Sequence, residues 1–342
     1  MLKLSLSRME ELFSRINGER TLYAPIQIGE QTQFTPWVPD AAVQMNRLST
    51  VKSPKDYFFP HIEDIAAFRV QGKEIEILDV RTEAAPFAVF GVRACDAESL
   101  NLLDRIFLDD PIDTFYESKR KSGLIITTAC FEPEETCFCG VFGIDALSPG
   151  GDIATWIVDD TLYWNALTEK GEALTEAVKD LFEETDDMAV KAAQEKAQTV
   201  FDKLPFRDLN LDGLTGEVLM KKFNSPEWAN LNPSCLSCGT CTFICPTCHC
   251  YDIQDFDTGK GIQRFKCWDS CMCSDFTLMA HGNPRTSQLE RFRQRYMHKL
   301  IYFPDNNDGA YACVGCGRCV QKCPISMNIV KVIKALGVEN DV

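Results

Sequence analysis

Two short stretches of the chain share one arrangement of cysteines. Residues 235–246 read CLSCGTCTFICP, and residues 313–324 read CVGCGRCVQKCP. In each stretch three cysteines recur every three residues, a fourth follows four residues later, and a proline ends the run. Three thiolates on one tight loop can surround one face of a [4Fe–4S] cluster, and this spacing is typical of such loops. The sequence therefore predicts two [4Fe–4S] clusters.

The fourth cysteine of each motif lies too far along the chain to complete the site formed by the other three. In two-cluster ferredoxins it binds the other cluster, and we expect the same exchange here. The predicted ligands are Cys235, Cys238, Cys241 and Cys323 for the first cluster and Cys313, Cys316, Cys319 and Cys245 for the second. The alternative is structural zinc, which also uses C-x2-C pairs. A four-cysteine run that occurs twice favours iron–sulfur clusters.

The composition restricts the class of protein. The 342 residues include 17 cysteines, 35 basic and 50 acidic residues, with a formal net charge of −15. Such an acidic chain repels phosphate, which argues against nucleic acid or an anionic membrane as a partner. No apolar run approaches about 18 residues, so no membrane span is predicted, and the charged N-terminal stretch does not match a secretory signal. We expect a cytoplasmic protein whose cysteines bind metal rather than form disulfides.

Charge and cysteine content both change near residue 220. Residues 1–220 carry 21 basic and 39 acidic residues, a balance of −18, whereas residues 221–342 carry 14 and 11, a balance of +3. The first part has four cysteines and the second has 13. We predict an α+β multidomain protein, with an α/β domain over 1–220 and an α-helical dicluster ferredoxin domain over 221–342. Helical periodicity at 288–300 and 328–336 favours the helical form of the second domain.

Short runs rich in β-branched residues indicate strands in the first part. The predicted elements are strands at 74–80, 85–92 and 123–129, a helix at 97–107 with Asp96 as its N-cap, a hairpin at 153–165, and one or two acidic helices within 168–204. Strand, helix and strand in this order are typical of an α/β fold.

The four cysteines of the first part lie at related positions. Cys95 and Cys130 each follow a predicted strand, and Cys137 and Cys139 share the loop after Cys130. Ligand sites in open α/β sheets form beyond the carboxyl ends of strands, so these four thiols are expected to converge on a third [4Fe–4S] cluster. Arg93 is available as a charge partner. The alternative is that Cys95 and Cys130 are buried as small apolar side chains and that the C-x-C pair is incidental.

Five further cysteines lie between the two motifs, at positions 248, 250, 267, 271 and 273. Cys248, Cys250 and Cys271 are candidate ligands of a further centre, and His249 offers a nitrogen ligand. The alternative is that these thiols only pack within the helical domain.

A stripe of cations follows one side of the predicted helix at 288–300. Arg291, Arg295 and Lys299 recur every four residues, which places them on one face. The stripe is either a solvated face or a set of charges that acts on a cluster or an acidic partner. A [4Fe–4S] cluster with four thiolates is an anion, so nearby cations would make its burial less costly.

Known substrate-binding motifs are not found in the sequence. There is no G-x-G-x-x-G after a strand and no G-x4-G-K-[ST], so neither a dinucleotide site nor a P-loop is predicted. The four histidines are scattered and no nucleophile elbow occurs. The chain is therefore expected to transfer electrons without a substrate site of its own, and it should need partner subunits.

Taken together, the motifs resemble the iron–sulfur subunits of anaerobic sulfite reductase and of cytoplasmic [NiFe] sulfhydrogenase (hydrogenase/sulfur reductase β subunit). Besides the two cysteine motifs, the matching elements are SPKDYFFP (53–60), FGVRACD (90–96), the C-x6-C-x-C run of 130–139, WDSCM (268–272) and ERFRQRYMHK (290–299). The resemblance covers most of the chain. The family has recurring cysteines at the positions of 248, 250 and 271, and Cys267 and Cys273 depart from its pattern.

The resemblance implies a function and partners. Family members pair with an FAD and [2Fe–2S] subunit that binds NAD(P)H, and they pass electrons to a catalytic subunit such as a hydrogenase, a siroheme sulfite reductase or a heterodisulfide-reductase-like protein. It also implies that the N-terminal cysteines bind a third cluster. Two alternatives stay open: a self-contained iron–sulfur flavoprotein related to deazaflavin-dependent dehydrogenase β subunits, and a non-catalytic redox sensor.

Overall fold

The computed structural model describes residues 1–45, 50–214 and 216–337. Its strands are β1 (Leu2–Ser5), β2 (Thr21–Ile28), β3 (Gln31–Pro36), β4 (Ile62–Gln71), β5 (Glu74–Leu78), β6 (Phe87–Val92), β7 (Gly123–Thr128), β8 (Ile153–Val158), β9 (Thr161–Ala166), β10 (Glu183–Glu184), β11 (Tyr251–Asp257) and β12 (Ile262–Trp268). Its α-helices are α1 (Met9–Glu19), α2 (Ala94–Phe107), α3 (Thr114–Ser122), α4 (Glu169–Val178), α5 (Met188–Phe201), α6 (Leu219–Phe223), α7 (Glu227–Leu231), α8 (Thr240–Phe243), α9 (Gln288–Met297), α10 (Phe303–Asn306), α11 (Arg318–Gln321) and α12 (Ile329–Gly337).

An eight-stranded sheet organises the N-terminal part, with the strand order β10-β1-β9-β8-β7-β6-β2-β3. Its centre is parallel, since β2 pairs with β6, β6 with β7 and β7 with β8 in the same direction. The strands β6 and β7 are buried along their whole length, as near-continuous apolar runs predict for a sheet covered on both faces. The α/β fold predicted for this part is confirmed.

Helices cover both faces of this sheet because neighbouring strand residues point to opposite sides. Phe90 and Ile126 share one core with apolar residues of α1 and α4. Val89 and Ile125, each one residue earlier, share another core with residues of α2 and α3. The sheet is therefore the middle layer of three, and its strand ends carry the loops that lead to the cysteines.

The helix after β6 begins earlier than predicted. Asp96 is not its N-cap: α2 starts at Ala94, and the extended backbone of Arg93 caps it. The carbonyl of Arg93 accepts the N–H groups of Asp96 and Ala97, each at 2.9 Å. The Asp96 carboxylate is instead bound to Arg318, a residue 222 positions away. A local capping rule could not foresee this long-range ion pair.

A second sheet, of four strands, has the order β11-β12-β4-β5. The segment between the two cysteine motifs forms the hairpin of β11 and β12, and β12 pairs antiparallel with β4 of the N-terminal part. The prediction that residues 221–342 are helical is therefore wrong for 251–268, where strand pairing with β4 overrides local propensity. The predicted domain boundary near residue 220 stays a prediction, and this sheet takes strands from both sides of it.

Outside this hairpin, every regular element that the structure describes after residue 220 is a helix, as predicted. Aromatic residues of α7 and α9, among them Trp228, Phe292 and Tyr296, share a core with aliphatic residues of α12. The short helices α8 and α11 each begin after a glycine in the left-handed region, Gly239 and Gly317. Both helices carry the third cysteine of their motif. Within the described part of the chain no helix is long and apolar enough to cross a membrane.

Candidate iron–sulfur centres

The first cavity lies at the first cysteine motif. Four cysteine side chains line it: Cys235, Cys238, Cys241 and Cys323. The backbone N–H of Ser237 donates to Sγ of Cys235 at 3.4 Å, and N–H donors of this kind stabilise a thiolate. Cys238 is exposed, so this cavity lies at the protein surface.

The second cavity lies at the second motif. Four cysteine side chains line it: Cys245, Cys313, Cys316 and Cys319. Lys299 lines it as well. Burial alone lowers the pKa of Lys299, but the thiols of Cys245 and Cys248 raise it above its usual value. The second cavity therefore has a buried ammonium in its wall.

The third cavity lies beyond the carboxyl ends of β6 and β7. Five cysteines line it: Cys95, Cys130, Cys137 and Cys139 of the N-terminal part, and Cys316 of the second motif. Because β6 and β7 are parallel neighbours, the residues that follow them lie at one edge of the sheet. Burial raises the pKa of the Cys130 thiol to about 12, so a thiolate here needs a cation beside it. The structure thus brings together the four cysteines grouped by the sequence.

Shared wall residues place the three cavities in a series. Arg295 lines both the first and the second cavity. Cys316 lines both the second and the third, and the N–H of Phe138 donates to the carbonyl of Gly315 at 2.8 Å at the same contact. The second cavity is therefore the middle one.

The arrangement of the thiols in the three cavities favours clusters over single ions. Among residues 1–45, 50–214 and 216–337, no three His, Cys, Asp or Glu side chains are arranged to hold a single metal ion. Thiols spread around a void suit a cubane, in which each iron takes one thiolate, better than they suit tetrahedral zinc.

Buried donors without a hydrogen-bond partner test whether these cavities fit an anionic cluster. In the described structure, Nε and Nη2 of Arg93, Nε of Arg295 and Oγ of Ser237 are such atoms. Arg93 lines the third cavity, Arg295 lines the first and second, and Ser237 lines the first. A buried donor left unpaired is costly, and the sulfurs of a cluster would accept from it. The residues present therefore fit [4Fe–4S] clusters.

An ion pair joins the second motif to the N-terminal part. Arg318 donates from Nη1 and Nη2 to the Asp96 carboxylate at 2.5 and 2.7 Å, and Nε of Arg93 lies 3.6 Å from the same carboxylate. Burial raises the pKa of Asp96, but the two guanidinium groups hold it below its usual value. Asp96 is therefore an anion in the protein interior.

Two glycines of the second motif allow the loop of the third cavity to pack closely. A Cβ atom on Gly315 would lie 2.4 Å from the carbonyl oxygen of Phe138, and one on Gly317 would lie 2.6 Å from that of Thr136. The first motif has Ser237 at the position of Gly315, with a similar positive φ of 54°. The contact with Phe138 explains why the second motif has glycine at 315, because any side chain there would clash with the Phe138 carbonyl.

The candidates for a further centre lie outside the three cavities. Cys250 and Cys271 are hydrogen-bonded to each other, which lowers the pKa of Cys250 to about 7. Sγ of Cys248 lies 3.9 Å from Nη1 of Arg295. The further centre stays a prediction. Cys267 lies on β12, Cys273 is exposed, and neither lines any of the three cavities.

The role of the cation stripe is decided by burial. Arg295 and Lys299 are only 2% and 4% exposed and both line the second cavity. Nη1 of Arg291 donates to the carbonyl of Arg285 at 3.2 Å. The stripe is therefore not a solvated face. The four-residue spacing indicated that these cations share one face of the helix. The sequence did not show that this face is turned toward the protein core.

Comparison with known proteins agrees with this geometry. Residues 234–327 match the 4Fe-4S dicluster domain. The chain is 32% identical over 336 residues to the sulfhydrogenase 2 subunit beta of Pyrococcus furiosus, and the match covers 97% of this chain and 96% of that subunit. No solved structure matches the chain.

These matches confirm the predicted resemblance and the predicted use of [4Fe–4S] clusters. The dicluster match includes both cysteine motifs, and the likeness to the β subunit extends over the N-terminal cysteines as well. An iron–sulfur protein of this kind transfers electrons. The chain belongs to the family of iron–sulfur electron-transfer subunits that includes the sulfhydrogenase β subunit.

Proposed function

We propose that the chain is a three-centre electron relay within a cytoplasmic anaerobic oxidoreductase complex. The observation that supports this proposal most directly is the series of three cysteine-lined cavities, in which each neighbouring pair shares a wall residue. In this proposal each centre has four cysteine ligands, twelve in all: Cys235, Cys238, Cys241 and Cys323 for the first, Cys245, Cys313, Cys316 and Cys319 for the second, and Cys95, Cys130, Cys137 and Cys139 for the third. Bound there, each [4Fe–4S] cluster supplies one-electron transfer.

The protein side chains prepare the cavities for this charge. Arg93, Arg295 and Lys299 are buried cations in the cavity walls, and they offset the negative charge that thiolate-ligated clusters carry. Phe138, Val314 and Ile329 contribute apolar side chains to the lining of the second cavity. The exposed Cys238 marks the first cavity as the end at which a partner subunit can approach.

The proposed partners are an FAD/[2Fe–2S] subunit that binds NAD(P)H and a catalytic redox subunit of the hydrogenase or sulfite or sulfur reductase kind. Two observations support these partners: the family to which the chain belongs, and the lack of a recognised substrate motif in the sequence. The name of the Pyrococcus relative describes a subunit of a sulfhydrogenase. In this arrangement FAD belongs to the partner, and electrons cross this chain one at a time.

The charge around a larger cavity favours the relay over the self-contained flavoprotein. This cavity has a volume of about 550 Å³, and its lining includes Glu98, Asp145, Asp152 and Arg120. Nε of Arg120 already donates to the Asp104 carboxylate at 2.9 Å. Three carboxylates and one engaged guanidinium match the pyrophosphate of FAD poorly, because like charges repel.

The relay is tested in the complex that carries the tagged chain, purified anaerobically from its own host. We expect a flavin subunit and a catalytic subunit to co-purify. Replacing Cys313 and Cys319 of the middle cavity by alanine should abolish electron transfer between NAD(P)H and the catalytic subunit. Reduction of a viologen dye by each partner alone should persist, because those half-reactions do not cross the middle cavity.

The control is the Cys267→Ala/Cys273→Ala variant, which removes two thiols outside the cavities. It should retain the coupled reaction. Coupled transfer that survives loss of the middle ligands would contradict the relay. Stoichiometric flavin on the chain purified without partners would favour the flavoprotein instead.

A further inference from the structure

A buried ion network lies between the second and third cavities. Arg93, Asp96 and Arg318 are 4%, 1% and 4% exposed. Arg93 lines the third cavity. Arg318 lies between Cys316 and Cys319 in the second motif, and the Asp96 carboxylate contacts both guanidinium groups.

The two arginines differ in how many of their N–H groups have hydrogen-bond partners. Arg318 uses Nη1 and Nη2 on Asp96, while its Nε and Nη2 also donate to the carbonyl and hydroxyl of Thr50 at 3.1 and 2.9 Å. Arg93 keeps Nε and Nη2 without a hydrogen-bond partner. Nε of Arg93 still lies 3.6 Å from the Asp96 carboxylate, so Asp96 offsets part of the charge of both arginines, while Nη2 of Arg93 remains an unused donor at the third cavity.

A carboxylate at this position opposes the charge of the cavities. Both cavities are lined by thiols that become anionic when they bind iron, and a nearby negative charge disfavours adding an electron. A contact between the N-terminal and C-terminal parts does not by itself require a charged group at the position of Asp96. The position of Asp96, within one network that reaches both cavities, allows it to act on both centres.

We propose that Arg93, Asp96 and Arg318 set the reduction potentials of the second and third centres together, with Asp96 lowering both. This inference rests on the proposed relay and identifies the residues that adjust it. Removing the negative charge leaves two uncompensated guanidinium groups, so both potentials rise. Removing the positive charge of Arg93, which faces the third cavity, lowers the potential of the third centre most.

The test is a redox titration of the full chain, followed by low-temperature EPR, for Asp96→Asn and Arg93→Gln. The signal of the third centre is identified as the one missing from a Cys95→Ala/Cys130→Ala variant. Asp96→Asn should shift the midpoints of the second and third centres upward. Arg93→Gln should shift the third downward, while the line shapes stay those of intact clusters.

The matched control is Asp104→Asn on the same helix. Asp104 also pairs with an arginine, since Nε of Arg120 lies 2.9 Å from its Oδ1, but none of the three cysteine cavities includes Asp104. It should leave all midpoints unchanged.

The outcomes distinguish failure of the proposed ion network from failure of the proposed relay. Midpoints in Asp96→Asn equal to those of the parent chain, or shifted no more than in Asp104→Asn, would overturn the network. An upward shift with Arg93→Gln would overturn it as well. Failure of the Cys95→Ala/Cys130→Ala variant to lose any signal would instead overturn the third centre of the relay.

Discussion

The Gly317→Ala substitution is expected to destabilise the chain and to release the iron of the third centre. Gly317 has a φ of +76°, and its added Cβ would lie 2.6 Å from the carbonyl oxygen of Thr136. Left-handed strain and overpacking against rigid backbone together cost about 2–4 kcal/mol. The loop that carries Cys137 and Cys139 would be pushed from the second motif. Iron per chain and the unfolding temperature measure the effect.

Gly239→Ala is the control at the equivalent position of the first motif. Gly239 has a φ of +72°, but the nearest atom to its Cβ would be the ring carbon Cε2 of Phe243 at 3.3 Å. It carries the same left-handed strain of about 1–2 kcal/mol without the backbone clash. Equal loss of stability and equal iron content in the two variants would show that the contact with the third-cavity loop does not matter.

The Cys95→Ala/Cys130→Ala variant should lose about four irons per chain and keep about eight, because two of the four proposed ligands of one [4Fe–4S] cluster are gone. Both thiols line the third cavity. The signals of the other two centres should persist, since their ligands are untouched. Iron and acid-labile sulfide are counted in the anaerobically prepared protein.

The comparison variant, Cys267→Ala/Cys273→Ala, removes the same number of thiols. Neither lines a cysteine cavity, and Cys273 is exposed, so its iron content should equal that of the parent chain. If this variant lost as much iron as the first, the assignment of the third centre to Cys95 and Cys130 would fail.

Spacing along the chain predicts much of the site. The two cysteine motifs predict that Cys245 joins the ligands of the second motif and that Cys323 joins those of the first. The structure places each of these cysteines at the expected cavity. Cys95 and Cys130 could be grouped because each follows a strand, and parallel neighbouring strands end at one edge. Local rules suffice where the chemistry depends on neighbours in sequence or on strand ends.

Long-range contacts were not predictable in the same way. The hairpin at 251–268 forms because β12 pairs with β4, a partner that no local propensity identifies. Asp96 fits the pattern of an N-cap, yet its carboxylate is bound to Arg318. In both cases a tertiary partner decides the outcome, and a single sequence does not name that partner.

The iron content of the full chain, expressed and purified anaerobically without its partners, tests the central claim most directly. A relay with three [4Fe–4S] centres requires about twelve irons and about twelve acid-labile sulfides per chain. A content of about eight, with all twelve cavity cysteines intact, would leave only the two centres of the dicluster domain and would contradict the third.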